Sequence, residues 1–257
     1  MAVDYDRLAH QFDERYRHQP LSGVEARLRA LAGQPGIGRA LEIGCGTGHW
    51  LAALGGLPLE LTGLDPAFAM LRRAAAHSSH ASLVCATAEA LPFHSGRFDF
   101  AFCVNALHHF PDAARFLRES RLLLRSGGMF ATFGLDPHST GARWYLYDYF
   151  PGVREADLAR YLPVEQIQRL LREAGFTAVT TEPVERIVRT FTDSQVFDDP
   201  FLVRESTSQL LIISENAYRE GRRAIQAAVE TAQREGRRAH FEVRLTLFAT
   251  TARSPEA

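Results

Sequence analysis

The stretch RALEIGCGTG, residues 39–48, sets three glycines at alternate positions directly behind an apolar segment that carries one acid, Glu42. The apolar part reads as a strand. Gly44, Gly46 and Gly48 let the chain turn through backbone angles that a Cβ forbids and bring bare backbone against a ligand. His49–Leu54 then reads as a helix start. Its unpaired N–H groups and positive dipole end suit an anionic group. Strand, glycine turn and helix in this order commit the chain to the βα units of a parallel sheet.

The spacing is G-x-G-x-G. It is not the dinucleotide fingerprint G-x-G-x-x-G, because position 49 is His. That departure weighs against an NAD(P)-dependent oxidoreductase, which is kept as a rival. Further along, LELTGLDPAF reads as a second strand that ends in Asp65, followed by a helix opened by Pro66. An acid at the end of the second strand can accept hydrogen bonds from both hydroxyls of a ribose. The residues to this point predict an adenosine-like ligand at the top of a parallel sheet.

Three more segments follow in order: AEALPF (88–93), RFDFAFCVNALHHFPD (97–112) and LRSGGMF (124–130). Together with LEIGCGTG (41–48) they resemble the class I S-adenosylmethionine (SAM)-dependent methyltransferases. Within these they are most similar to the small-molecule branch of ubiquinone/menaquinone-biosynthesis type. The resemblance covers residues 36–135; beyond them it is one of general architecture. It implies a methyl group passed directly, in an SN2-like step, from SAM to an O, N or C nucleophile, leaving S-adenosylhomocysteine (SAH), with no metal. It further implies that Gly44, Gly46 and Gly48 admit the cofactor and that Glu42 shapes the turn and accepts from its amine or from a bridging water. Asp65 takes the ribose, and Pro66 flanks the adenine. Related enzymes often carry Asp where this chain has Thr87, so the adenine hydrogen bond falls to Thr87 or to the Ala88 backbone, a weaker acceptor than a carboxylate. Glu89 has two readings, adenine neighbour or helix cap. Asn105 is placed near the sulfonium.

The same resemblance offers His108 and His109 as general bases, with packing at a helix start as the alternative. His138, past the fifth strand, is a second base candidate. The aromatic run RWYLYDYF places Trp144, Tyr145, Tyr147 and Tyr149 close together. They read either as a π-lined lid over the acceptor or as a helix packed on the sheet edge. Tyr5 and Tyr16 have the same two readings at the N-terminal side.

Composition narrows the partners. There are 29 basic and 30 acidic residues, a net charge of −1, so no general basic field collects nucleic acid. All the basic residues are arginine, which excludes a lysine nucleophile or base. Cys45, Cys85 and Cys103 lack zinc or C-x-x-C spacing, and the polar start predicts no secretory signal. No run approaches the roughly 18 apolar residues that span a bilayer. The expectation is a cytoplasmic monomer or homodimer with a small-molecule acceptor and without a membrane span. A tRNA- or protein-modifying methyltransferase and a non-catalytic SAM-binding protein stay as alternatives.

The predicted fold is α/β: a Rossmann-like, doubly wound, mostly parallel seven-stranded sheet with helices on both faces and an antiparallel last strand. Strands are expected at 38–43, 59–64, 82–86, 98–104 and 128–134, and helices at 4–32, 47–55, 67–77 and 112–125, the last N-capped by Asp112. Residues 1–135 form the N-terminal helices and cofactor-binding core. Residues 136–257 complete the same domain with a lid, a helix opened by Pro163, a strand over 176–189, a long helix over 214–233 and a strand over 240–251. The long insertion at 190–238 predicts a functional cap.

Overall fold

The structure, a computed structural model, describes residues 13–78 and 80–256. Tyr5 and the first part of the expected 4–32 helix lie outside these residues. The strands are β1 (Arg39–Ile43), β2 (Glu60–Asp65), β3 (Ser82–Cys85), β4 (Phe98–Val104), β5 (Leu124–Leu135), β6 (Arg143–Trp144), β7 (Thr177–Thr192) and β8 (His240–Arg253). They form one sheet in the order β3-β2-β1-β4-β5-β8-β6, with β7 paired to β8. β1 to β5 are mutually parallel, and β8 runs antiparallel to β5, β6 and β7. The seven longer strands are those expected. The eighth, β6, is a two-residue strand in a stretch that did not read as one. It forms because β8 outruns β5: Leu247–Arg253 pairs with β5, which leaves Val243 and Arg244 to pair with Trp144 and Arg143.

The helices are α1 (Glu14–His18), α2 (Ser22–Ala32), α3 (His49–Ala53), α4 (Phe68–His77), α5 (Ala113–Leu123), α6 (Tyr145–Tyr149), α7 (Val153–Arg160), α8 (Val164–Glu173), α9 (Ser208–Leu211) and α10 (Glu215–Arg234). The apolar stripe at 13–32 is broken between α1 and α2, where Pro20 cannot continue a helix and Leu21 takes a φ of 54°. As expected, Asp112 caps α5, its carboxylate accepting from the Arg115 N–H at 2.8 Å. α7 carried no clear sequence signal.

β4 is buried along its whole length, as a central parallel strand must be. The pleat divides its side chains. Phe100, Phe102 and Val104 join one core with Leu28, Leu31 and Trp50. Ala101 and Cys103 join the opposite core with Phe116, Leu117 and Leu171. Each large apolar side chain removed from water contributes roughly 1.5–3 kcal/mol, so this two-sided burial holds the strand ends still. A third core unites β6, α6, α10 and the start of β8. It is capped by residues 193–211, a succession of 3₁₀ turns and α9 between β7 and α10. The expected insertion is therefore a packed cap.

α10 seats the third core through Gly221, where an added Cβ would lie 2.3 Å from the Phe150 ring. Gly221→Ala is expected to lower the melting temperature. Overpacking costs about 1–3 kcal/mol, which exceeds the roughly 1 kcal/mol alanine gains over glycine in a helix. A melting temperature at or above the wild-type value would refute this contact. No helix among the described residues is long and apolar enough to cross a membrane.

Candidate active site

The glycine turn sits at the carboxyl end of β1, where open α/β sheets bind ligands. Gly44, Gly46 and Gly48 have φ values of 77°, 52° and 79°, the left-handed region that favours glycine. The turn is tied to the neighbouring strand. The N–H groups of Gly44 and Cys45 donate to the Leu64 carbonyl at 2.7 and 3.0 Å. Asp65, at the end of β2, accepts from the Gly46 N–H with one oxygen and from the Ala67 N–H with the other, both at 2.9 Å. Asp65 thus builds the turn as well as facing the cavity. Each carboxylate oxygen has a second lone pair for a further donor.

Glu42 is fully buried below the turn, and neither of its carboxylate oxygens has a partner of normal geometry among the described residues. Burial first, and then the nearby Asp65, push its pKa well above the usual carboxylate value; the adjacent Leu51 backbone draws it down in part. A buried, unpartnered acid lining a cavity is costly unless a donor or cation completes it. The amine and ribose of SAM are such groups, so Glu42, the glycine cradle and Asp65 fit that cofactor.

These residues open on one cavity of about 730 Å3 that also reaches Thr87, Ala88, Glu89, Asn105, His108 and His109. Asn105 is held at φ 49°, with its N–H on the Phe133 carbonyl at 2.8 Å, so the end of β4 bends into the cavity. α1 lies over the turn. Asp13 accepts from the Thr47 hydroxyl and from Arg73 Nε and Nη2, the latter two at 3.2 and 2.9 Å. The Tyr16 ring stacks on His49 at 3.6 Å and meets Trp50 edge-on at 5.5 Å.

His108 stacks on Tyr161 at 4.0 Å and tilts against His109 at 3.9 Å. Burial, His109, Arg160 and Arg15 hold the His108 pKa well below the ordinary imidazole value. His109 is exposed to the cavity yet walled by protein. Enclosure, Arg160 and Arg15 lower its pKa to about 3. Water in the cavity screens this effect, and a filled, dry cavity does not. In either case both rings are neutral at pH 7.

The other expected site residues are placed elsewhere. His138 lies outside the cavity: its Nε2 is 2.9 Å from the Tyr161 carbonyl oxygen, so its ring serves a loop contact. Of the aromatic run only Trp144 lines the cavity. Tyr145 donates to Asp199 at 2.7 Å, Tyr147 donates to Asp157 at 2.8 Å, and Tyr149 packs on Phe241 at 5.3 Å. These tyrosines build the third core and its cap and form no lid. Tyr16 does line the cavity.

Apart from Trp144, the sequence reading did not single out the residues that line the cap end of the cavity. Arg160 ends α7 and Tyr161 follows it, Gln209 comes from the cap and Ile212 lies just past it, and Leu245 and Leu247 come from β8. None belongs to a motif; only the length of the 190–238 insertion pointed to a cap. Among the described residues no group of His, Cys, Asp or Glu side chains could hold a metal ion.

Comparison with known proteins agrees with this geometry. Residues 41–132 match the family described as "Methyltransferase domain". A ubiquinone biosynthesis O-methyltransferase of Thiobacillus denitrificans is 28% identical over 218 residues, covering 75% of this chain and 91% of that protein. An uncharacterized methyltransferase of Synechocystis sp. is 31% identical over 169 residues, covering 65% of this chain and 76% of that protein. Among solved structures, the phosphoethanolamine N-methyltransferase 2 of Haemonchus contortus, in complex with phosphomonomethylethanolamine and SAH, aligns with a TM-score of 0.57 at 19% identity. It covers 90% of this chain and 52% of that one. The [4+2]-cyclase SpnF aligns with a TM-score of 0.55 at 22% identity, covering 91% of this chain and 82% of that one. Likenesses at such identity speak for the fold alone. The glycine turn with its buried acid, the order of motifs and the relatives converge: this chain belongs to the class I SAM-dependent methyltransferases.

Proposed function

We propose that the methyl acceptor is a small molecule, bound in the same cavity as the cofactor with the cap of residues 193–211 as its outer wall. The observation that carries this reading is the cavity itself. Its volume of about 730 Å3 lies in the range of small-ligand sites, roughly 300–1,000 Å3, and its walls come from both the glycine-turn side and the cap. Apolar walls with a few convergent polar groups suit such a ligand and offer little to a macromolecule. The net charge of −1 supports the same choice against tRNA. We also take the protein to be cytoplasmic and a monomer or homodimer, from its unpaired cysteines and ordinary composition.

In this reading Gly44, Gly46, Gly48, Glu42 and Asp65 hold the cofactor, with Pro66, Thr87, Ala88 and Glu89 around its adenine and Asn105 toward its reactive end. SAM, when bound, supplies a methyl group on a sulfonium that needs no further activation. The protein's part is to hold the acceptor in line and exclude water, and His109 or His108 offers a neutral imidazole to an acceptor that still carries a proton. The test is a cell extract incubated with the protein and methyl-labelled SAM. Label is expected in the low-molecular-mass fraction. Label confined to acid-precipitable RNA or protein would overturn the small-molecule reading.

A further inference from the structure

We propose that Arg160 anchors the acceptor and selects one that presents an ionised oxygen, a phenolate or a carboxylate, on an apolar body, in preference to an amine. This rests on the proposed small-molecule cavity. The guanidinium is pinned from one side only. Nε and Nη2 donate to Asp157 Oδ1 at 3.0 and 2.7 Å, and Nη2 also donates to the Ser208 hydroxyl at 2.9 Å. Nη1 has no hydrogen bond among the described residues, and Arg160 lines the cavity.

Asp157 is fully buried and is itself fixed, its Oδ2 accepting from Tyr147 at 2.8 Å and from Gln209 at 3.2 Å. Gln209 also donates to the Tyr161 hydroxyl at 3.3 Å. The Arg160 guanidinium lies 5.1 Å from the Tyr161 ring centroid, on the same ring that His108 stacks against. Two cap residues, Ser208 and Gln209, one α6 tyrosine and one buried acid thus hold a single arginine beside the histidine pair.

Such a network is a poor source of stability, because apolar residues of like volume do as well or better in a core. A guanidinium held rigid with donors to spare is a good receptor for an oxyanion. The cavity's apolar lining, Leu135, Trp144, Ile187, Val243, Leu245 and Leu247, suits the body of the acceptor. An ammonium group finds no equivalent here. Asp199 is buried behind the Tyr145 hydroxyl and the Phe201 N–H that donate to it, and Glu205 is exposed. Glu42, Asp65 and Glu89 stand at the cofactor end.

The histidines agree: both titrate far below the ordinary imidazole range, which makes them weak bases. An acceptor that arrives ionised needs none. Its oxygen forms the C–O bond as the C–S bond breaks, and its negative charge cancels the positive charge on sulfur, so no proton is left to place.

The probe is 2-naphthoate, with naphthalene-2-carboxamide and 2-naphthylmethylamine as neutral and cationic counterparts. Each is titrated by calorimetry into the full chain with and without SAH. 2-Naphthoate is expected to bind about tenfold or more tightly than either counterpart, and Arg160→Gln to erase that advantage, as for loss of a charge-assisted contact. Arg160→Lys should keep part of it. Asp157→Asn/Arg160→Gln removes both charges, so the loss can be read without a stranded buried acid. Equal 2-naphthoate affinity in wild type and these variants, or tightest binding of the amine, would overturn the proposal. Failure of SAH to bind would instead count against the cofactor assignment, since the titrations without SAH still report on Arg160.

Discussion

Asp65→Ala is expected to weaken SAH binding by about ten- to a hundredfold, corresponding to loss of one charge-assisted hydrogen bond at roughly 1.5–3 kcal/mol. Asp65 lines the cavity, where we propose that it meets the ribose, and its two oxygens also fasten the Gly46 and Ala67 N–H groups. Alanine removes a ligand contact and releases the turn together. It also leaves buried N–H groups that cost about 1–3 kcal/mol each when unsatisfied, so the melting temperature should fall as well. Asp65→Asn separates the effects. Its side chain keeps one acceptor but sets an NH2 group against a backbone N–H, so affinity should fall less than for alanine. Titration calorimetry with SAH is the measurement, and wild-type affinity in the alanine variant would reject Asp65 as a binding residue.

The second large effect is expected at Glu42, where Glu42→Gln should stabilise the protein without cofactor while weakening SAH binding about tenfold, in keeping with a charge-assisted contact. The folded state keeps a proton on Glu42 at pH values where the unfolded chain has lost it, because burial raises its pKa well above 4.5. Stability from this site is therefore fully present below the ordinary carboxylate range and is lost as pH rises through the folded-state value. Glutamine cannot ionise, so its advantage in melting temperature should widen as pH rises above the ordinary carboxylate range toward the raised folded-state value. Pairing with the cofactor's amine favours the carboxylate, so SAH binding to the wild type should release a proton. That release appears as a binding enthalpy that changes with the ionisation enthalpy of the buffer. A gap in melting temperature that stays constant with pH would reject the buried ionisable role of Glu42.

The parts of the fold that were legible in advance are those in which local chemistry and final structure agree. Strand, glycine turn and helix follow one another within residues 39–53, so period, turn residues and capping spoke together. β4 was bounded to the residue because an apolar run buried on both faces leaves a continuous signal. The rest was illegible for reasons that differ by place. β6 exists only because β8 is longer than β5. The tyrosines of α6 carry the same composition whether they line a cavity or pack behind it. Hydrogen bonds from Tyr145 to Asp199 and from Tyr147 to Asp157 decide for packing, and both acids lie far along the chain or on another helix. His138 looked poised beside a strand end, but a loop carbonyl claims its ring.

The sequence by itself determined the strand, glycine turn and helix frame on which the proposed cofactor site stands. Glycines at left-handed positions and acids at two adjacent strand ends are properties of short segments, and a parallel sheet brings neighbouring strand ends together without further instruction. The cap end of the cavity, where we propose the acceptor binds, was decided by tertiary structure. Arg160 meets Ser208, and Asp157 meets Gln209, across about fifty residues of intervening chain, the separations being 48 and 52. No local pattern encodes such meetings; they follow from the cap folding back over β8 to bury its own apolar face.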